Sequence, residues 1–261
     1  MAFTPFDDAE TTRIENSLSD LTRAIERIHG VKSIEESWVE IYCNVKDINF
    51  ENTGNKPFTD IRQNGLGIEV KTKSHGLHLI EPGYRVMHPS STRAVGNPSG
   101  NVSDKERKEH FITGYQELID DWTEELEEES EDGEADLRWG VLLYESDYSQ
   151  FVYFELEVEG PGNPQSYTAI RNRYDNLAIY DEGQDPHDND DKPYITVTDD
   201  HKIQPYYEIP DEEYLYWFDV EHEDTTLIEV SDDIYDRFMG ETDGDSEEER
   251  LNNLLDRVER N

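Results

Sequence analysis

The stretch PFTDIRQNGLGIEVKTKS (Pro57–Ser74) decides how the middle of this chain folds. Charged and apolar residues alternate at its end, as in a β-strand whose successive side chains point to opposite faces. Glu69 and Lys71 therefore project together from one face of the predicted strand. The apolar residues between and before them, Ile68 and Val70, point the other way, towards a core.

The same stretch predicts a β-hairpin. Asn64-Gly65 lies between the two strand-like runs, and both residues tolerate the positive φ of a tight turn. The hairpin returns Asp60 towards Glu69, so that two carboxylates and the ammonium of Lys71 meet on one face. Such a group suits Mg²⁺ and a water molecule beside a phosphate. The alternative interpretation is an exposed strand that happens to carry Glu and Lys at its outward positions.

An Asp followed at this spacing by Glu-x-Lys resembles the PD-(D/E)xK nuclease superfamily, which includes most type II restriction endonucleases and several repair and junction nucleases. The motif is carried by Asp60, Glu69 and Lys71. One departure is visible, since Thr59 precedes the Asp and the proline stands at Pro57. The resemblance is confined to a short part of the chain around this motif.

The resemblance implies a Mg²⁺-dependent endonuclease that hydrolyses DNA. Asp60, Glu69 and the backbone carbonyl of Val70 would ligate the ion, and Lys71 would orient or help to deprotonate the attacking water. Sequence-specific members usually act as dimers, so a homodimer is a possible assembly. Some members carry a further acid on the first helix, for which Glu15 or Glu26 is available; an exposed, solvated position is the favoured interpretation of both.

The implied fold class is α/β (α+β), with a central mixed sheet flanked by helices, as in restriction endonucleases. We expect one nuclease-like domain over residues 1–261, with its core at about residues 10–160. A C-terminal extension over about residues 161–261 would add strands and a helix.

The acidity of the chain is extreme. It carries 63 acidic and 23 basic residues, a formal charge of −40, although 11% aromatic residues favour a folded protein over a disordered one. Molar salt shortens the Debye length to roughly 3 Å and screens such self-repulsion. The composition therefore predicts a cytoplasmic protein of an extreme halophile.

The charge is unevenly distributed. The segment 56–108 holds nine basic and five acidic residues, a balance of +4, whereas the rest of the chain carries −44. A basic region around a phosphodiester site is the electrostatic pattern expected for phosphate contact, and a chance fluctuation is the alternative. The candidates for DNA contact are Lys56, Arg62, Lys73, Arg85, Arg93, Lys105, Arg107 and Lys108.

Periodicity predicts the remaining elements. We expect helices at Asp7–His29 and Ser103–Glu129, the second opened by a capping box, and a last helix at Glu247–Glu259. We expect a loop at His75–Gly100 that contacts DNA, and a flexible acidic loop at Asp175–Lys192. A short helix should run from Ser231 to Met239. The expected strands are Ser37–Phe50, Trp139–Glu145, Phe151–Glu159, Tyr194–Val197, Tyr214–Val220 and Thr226–Val230.

Several function classes find little support. The single Cys43 excludes an intramolecular disulfide and a cysteine zinc cluster, and is expected to be a buried small hydrophobe. No apolar run is long enough for a membrane span, and no signal peptide is apparent. The main alternative to a nuclease is a non-catalytic protein, either a nuclease fold that only binds nucleic acid or protein, or an acidic DNA mimic.

Overall fold

The computed structural model describes residues 2–27, 34–48, 59–87, 98, 102–172, 174–185, 192–198 and 202–220, with only the backbone for 23–27 and 87. All of these residues belong to one compact unit, Met1–Glu221, and His222–Asn261 form a separate unit outside the described residues.

Three helices and eleven strands make up the described unit. The helices are α1 (Asp8–Arg27), α2 (Ile34–Val45) and α3 (Asp104–Glu129). The strands are β1 (Ala2–Phe3), β2 (Ile61–Gln63), β3 (Leu66–Ser74), β4 (Arg85–Met87), β5 (Asp136–Tyr144), β6 (Gln150–Glu157), β7 (Tyr167–Arg171), β8 (Leu177–Asp181), β9 (Ile195–Val197), β10 (Ile203–Glu208) and β11 (Tyr216–Asp219).

The strands form two sheets. The main sheet is mixed and has the order β1-β6-β5-β3-β2, with β11 also paired to β6. Its one parallel pair is β3 with β5, and α3 lies between these two strands in the chain. The second sheet is antiparallel and has the order β4-β10-β9-β8-β7. The mixed α+β architecture with a mixed sheet and flanking helices agrees with the predicted fold class.

Two hydrophobic cores hold these layers together. One core packs α1 and α2 against one face of the main sheet, and it contains Ile68 and Val70, both fully buried. The other core packs α3 against the opposite face of the main sheet and against the second sheet. The side chains of β3 that alternate with Ile68 and Val70, those of Glu69 and Lys71, therefore lie on the α3 side of the main sheet.

The predicted hairpin is confirmed. Asn64 and Gly65 both have positive φ, 45° and 82°, and they join β2 to β3 in antiparallel register. Gly67 allows α3 to approach, because a Cβ at this position would lie 2.6 Å from a terminal methyl of Leu126. The hairpin that carries the Glu-x-Lys motif is thus packed directly against the end of α3.

Helix α3 also follows its sequence signals. Ser103 is the N-cap, and its hydroxyl accepts a hydrogen bond from the backbone N–H of Glu106. The Glu106 carboxylate accepts from the backbone N–H of Ser103, which completes the predicted capping box. The helix ends at Glu129, as predicted.

The predicted strand at Ser37–Phe50 is wrong. The structure places a helix, α2, over Ile34–Val45. Aromatic and β-branched residues favoured a strand, but Ile34, Trp38 and Val45 recur at helical spacing and are buried on one face. Cys43 is buried as expected, although it lies in this helix.

The predicted acidic loop at Asp175–Lys192 is also partly wrong. Its first residues form β8, whose Leu177 and Ile179 are buried in the core beneath α3. The acidic composition of the whole window masked a run of four apolar residues. Strands β7 and β10 lacked a clear sequence signal and were not predicted.

Other predictions were closer. The segment after β3 is mainly irregular, with a short 3₁₀ helix at Leu77–Leu79 and strand β4. Residues 88–97 of that predicted loop lie outside the described residues, as do the predicted strand Thr226–Val230, the Ser231–Met239 helix and the Glu247–Glu259 helix. Across the described residues, no helix is long and apolar enough to cross a membrane.

Candidate active site

The structure brings the three motif residues together. Lys71 Nζ lies 2.8 Å from Glu69 Oε1 and 3.8 Å from Asp60 Oδ2. The side chains of Asp60 and Glu69 are each 13% exposed and that of Lys71 is 8% exposed, so the charges meet in a largely shielded place. Burial makes this different from a solvated surface strand, where Glu and Lys side chains stay in water.

Backbone hydrogen bonds fix the position of Asp60. Its N–H donates to the carbonyl of Ile68 at 3.0 Å, which continues the β2–β3 pairing by one residue. Its Oδ2 accepts from the backbone N–H of Val70 at 2.9 Å. The carboxylate of Asp60 is therefore held against the strand that carries Glu69 and Lys71.

A fourth charged residue, Glu35, joins the cluster and was not predicted. It lies in the first turn of α2, and its Oε1 is 3.9 Å from Lys71 Nζ. The predicted alternatives on the first helix do not take this place: Glu15 forms no ion pair with Lys71, and the Glu26 side chain lies outside the described residues. The acid could have been found only by recognising that Ile34–Val45 is a helix.

Burial and charge perturb the pKa values of the cluster. The pKa of Glu69 is raised to about 7, first by burial and then by the negative charge of Asp60, although Lys71 opposes the rise. Burial lowers the pKa of Lys71, but Glu69, Asp60 and Glu35 outweigh it, and the net pKa is raised. Lys71 is therefore an ammonium at neutral pH, and Glu69 takes up a proton near neutral pH.

The donor chemistry of the cluster suits a hard divalent cation. Three carboxylates and one ammonium leave an excess of two negative charges when all are ionised, and Mg²⁺ prefers carboxylate and carbonyl oxygens. Asp60, Glu69 and the carbonyl of Val70 are the residues that would hold it. The ammonium of Lys71 contacts the same two carboxylates, so Mg²⁺ and Lys71 compete for these oxygens.

In the part of the chain that the structure describes, no group of three or more His, Cys, Asp and Glu side chains is arranged to hold a metal ion. A metal bound here would depend on two carboxylates supplemented by backbone, water or phosphate oxygens.

Several residues predicted to contact DNA have partners within the protein. Arg62 pairs with Glu129 at 2.9 Å and with Glu125 at 3.5 Å, and thereby ties β2 to α3. Lys108 is buried and donates to the carbonyl of Tyr167 at 2.6 Å. These two cations stabilise the packing of α3 in the described structure.

The other candidates are more dispersed. Arg85 pairs with Asp181 at 2.7 Å in the second sheet, while Lys105 and Arg107 lie in the first turn of α3. Lys73 follows Lys71 on the same face of β3 and is half-buried, which lowers its pKa. Lys56 and Arg93 lie outside the described residues.

A second polar cluster lies on the other face of the main sheet. Glu155 is fully buried, and its carboxylate accepts from Tyr42 and Tyr153, each at 2.9 Å, and from Arg138 at 2.8 Å. Asp136 pairs with the same guanidinium. Because every oxygen of Glu155 has a partner, this cluster is a structural tie between α2 and the sheet.

Comparison with protein-family models, with curated proteins and with solved structures returned no match. The resemblance to nucleases therefore rests on the motif residues and on the site that they form.

Proposed function

We propose that the protein is a Mg²⁺-dependent endonuclease that hydrolyses DNA phosphodiester bonds in the manner of restriction endonucleases. The observation that carries the proposal is the convergence of Asp60, Glu69 and Lys71 at 2.8–3.8 Å on one shielded sheet face. A solvated strand with the same sequence pattern would leave its ammonium and carboxylates in water, because removing charged groups from water costs free energy.

The chemistry assigned to each residue follows from its environment. Mg²⁺, when bound by Asp60, Glu69 and the Val70 carbonyl, supplies electrophilic assistance to the phosphate. The ammonium of Lys71 orients the attacking water and offsets the negative charge that builds on the phosphate. It is unsuited to taking the proton itself at neutral pH, because its pKa is raised by the surrounding carboxylates.

Glu35 extends this assignment. Its side chain is 27% exposed, more than those of Asp60 and Glu69, so the cluster is most open on the Glu35 side. A substrate phosphate would approach from that side. Glu35 would help to hold the Lys71 ammonium in place when Mg²⁺ takes up the other two carboxylates.

The non-catalytic alternative has an observation in its favour. Lys71 is engaged with three carboxylates, and the described residues contain no group of three or more metal-ligating side chains around one position. A nuclease-like fold that has lost its metal, or an acidic protein that mimics DNA, would tolerate such an arrangement.

The test is cleavage of supercoiled plasmid and genomic DNA in multimolar KCl with Mg²⁺. We expect cutting by the wild type and by Glu128→Gln, which changes an exposed acid of α3 that is not part of the motif. Asp60→Ala and Lys71→Met should each reduce the rate by at least about 100-fold, the scale on which such charged groups contribute. Circular dichroism confirms that the variants are folded.

Two results would contradict the proposal that the protein is a nuclease acting through this site. The first is a folded wild type that cuts no DNA or RNA with Mg²⁺ or Mn²⁺. The second is cutting that persists in Asp60→Ala and Lys71→Met, which would place the activity elsewhere or in a contaminant. Binding of DNA without cutting would favour the non-catalytic nucleic-acid-binding protein.

A further inference from the structure

The end of β3 leads into an exposed aromatic surface. The face of β3 that carries Glu69 and Lys71 continues with Lys73, and at the same spacing with His75. The N–H of His75 still bonds to the carbonyl of Tyr144 at 2.9 Å, so the chain remains extended alongside β5. The side chains of Glu69, Lys71, Lys73 and His75 therefore follow one another along the same face of the extended chain.

Tyr84 stacks on this line. Its ring lies 6.2 Å from that of His75 with an interplanar angle of 28°, and the residue is 38% exposed. Of the four large hydrophobic residues exposed in the described structure, two lie in this short segment, Leu79 and Tyr84. Leu79 and Tyr84 lie within six positions of each other, and the Tyr84 ring is stacked on His75, so this segment is a candidate contact surface for a ligand.

Backbone hydrogen bonds anchor the segment that carries Tyr84. Gly83 donates to the carbonyl of Ile209 at 2.9 Å, and Ile209 donates to the carbonyl of Tyr84 at 2.9 Å, which joins this turn to the end of β10. On the other side, the N–H of Leu77 donates to Glu145 at 2.6 Å. The backbone that carries Tyr84 is thus fixed, so little backbone freedom is lost when a flat ligand stacks on the ring.

The charges near the rings suit a nucleotide. Burial lowers the pKa of His75, and the nearby Lys73 lowers it further, so the imidazole is neutral at pH 7. Lys73 supplies the positive charge between the rings and Lys71. At about 3.3 Å per strand residue, Lys73 lies about 7 Å and His75 about 13 Å from Lys71 along β3. A distance of about 13 Å corresponds to no more than about four nucleotides of one strand, at about 3.4 Å per nucleotide.

We propose that His75 and Tyr84 form a stacking platform for an unpaired nucleobase of the substrate, next to the phosphate-cleaving cluster. The inference rests on the proposed function and adds to it a substrate class, nucleic acid with an unpaired strand at the cleavage site. A paired base has its faces covered by its neighbours in the duplex, whereas an unpaired base can stack on tyrosine irrespective of its identity.

The charge of the protein makes stacking especially useful. A chain with a net charge of −40 gains little long-range attraction for a polyanion, and high salt weakens contacts between cations and phosphates. A base–aromatic stack does not depend on counterion release. A platform of this kind would therefore hold the substrate under conditions where lysine contacts contribute least.

Fluorescence anisotropy tests the inference in the Asp60→Ala background, where cleavage should be at least about 100-fold slower. The probes are a labelled oligothymidylate, an oligouridylate of the same length and a blunt DNA duplex, each in multimolar KCl. Tyr84→Ala should weaken binding of the single strands roughly tenfold, the scale of a lost base–aromatic stack, and leave duplex binding unchanged. Tyr84→Phe should bind like the parent. The matched control is Tyr174→Ala, which removes another exposed ring.

Single-strand binding that is unchanged in Tyr84→Ala would overturn the platform, as would equal weakening for the duplex or no single-strand binding by the parent. A thermal melt separates these results from misfolding of a variant. If Tyr84→Ala loses binding of only the oligothymidylate, the substrate is DNA, and if it loses binding of only the oligouridylate, the substrate is RNA. Either result supports the platform. Cleavage assays of the wild type test the proposed nuclease activity separately. Binding that depends on Tyr84 without any cleavage would contradict the nuclease proposal and leave the stacking platform supported.

Discussion

Replacing Glu69 by Gln should change how the stability of the protein depends on pH. The pKa of Glu69 is raised from 4.5 to about 7, mainly because burial disfavours the charged form. The folded protein therefore binds a proton at Glu69 more tightly than the unfolded chain does. The stabilisation is fully present below pH 4.5, the unfolded value, and is lost as the pH rises through about 7.

The size of the effect follows from the shift. Each pKa unit corresponds to about 1.4 kcal/mol, so a rise from 4.5 to about 7 amounts to about 3 kcal/mol. Gln cannot ionise, so the variant lacks this term. Between pH 4.5 and 8 the free energy of unfolding of the wild type should thus fall by about 3 kcal/mol relative to Glu69→Gln. Lys71 remains charged throughout, because its pKa is raised above 10.5.

Urea denaturation at constant KCl, with EDTA present, measures this difference at several pH values. The quantity compared is how the difference in unfolding free energy between the wild type and Glu69→Gln varies with pH. A pH-independent difference caused by exchanging the acid for an amide therefore cancels. Glu128→Gln, at an exposed position of α3, should run parallel to the wild type. If Glu69→Gln also runs parallel to the wild type between pH 4.5 and 8, the reasoning about the buried carboxylate is refuted.

Two further predictions concern the scaffold. Arg138→Met should lower the free energy of unfolding by about 3–5 kcal/mol, because it leaves the fully buried Glu155 without its guanidinium partner; urea denaturation at pH 7 measures this, and a loss below about 1 kcal/mol would contradict it. Ser103→Ala should cost about 1 kcal/mol through the lost capping box of α3. The same assay checks it, and Ser17→Ala, at a partly exposed position within α1, should cost less.

The sequence predicted the elements whose signals are local. Asn64-Gly65 favours a hairpin turn whatever surrounds it, and the residues that follow alternate with the period of a strand. Ser103 and Glu106 specify the start of α3 because the capping box is made within one turn. These features need no distant partner, which is why they could be predicted.

The errors arose where distant contacts decided the outcome. The apolar residues of Ile34–Val45 suit a strand by composition, but they form a helix because one helical face packs against α1 and the main sheet. Strand β8 is buried although its surroundings in the chain are acidic. Local propensity is overridden in both cases by the apolar surface that folding buries.

The same division runs through the candidate site. Sequence alone determined that Asp60, Glu69 and Lys71 share a strand face, because a hairpin and a period of two suffice for that. Only the tertiary structure decided that Glu35 joins them, since α2 must pack beside β3 to bring it within 3.9 Å of Lys71.

Only the tertiary structure, likewise, decided which cations remain near the site. Sequence analysis counted a basic region, but Arg62 and Lys108 are drawn into contacts with acids and carbonyls of the fold. A count of charges along the sequence does not show where their side chains point. The interaction between two charges depends on the distance between them and on their burial. The sequence therefore determined the chemistry of the site, and packing determined its geometry, its pKa values and its neighbours.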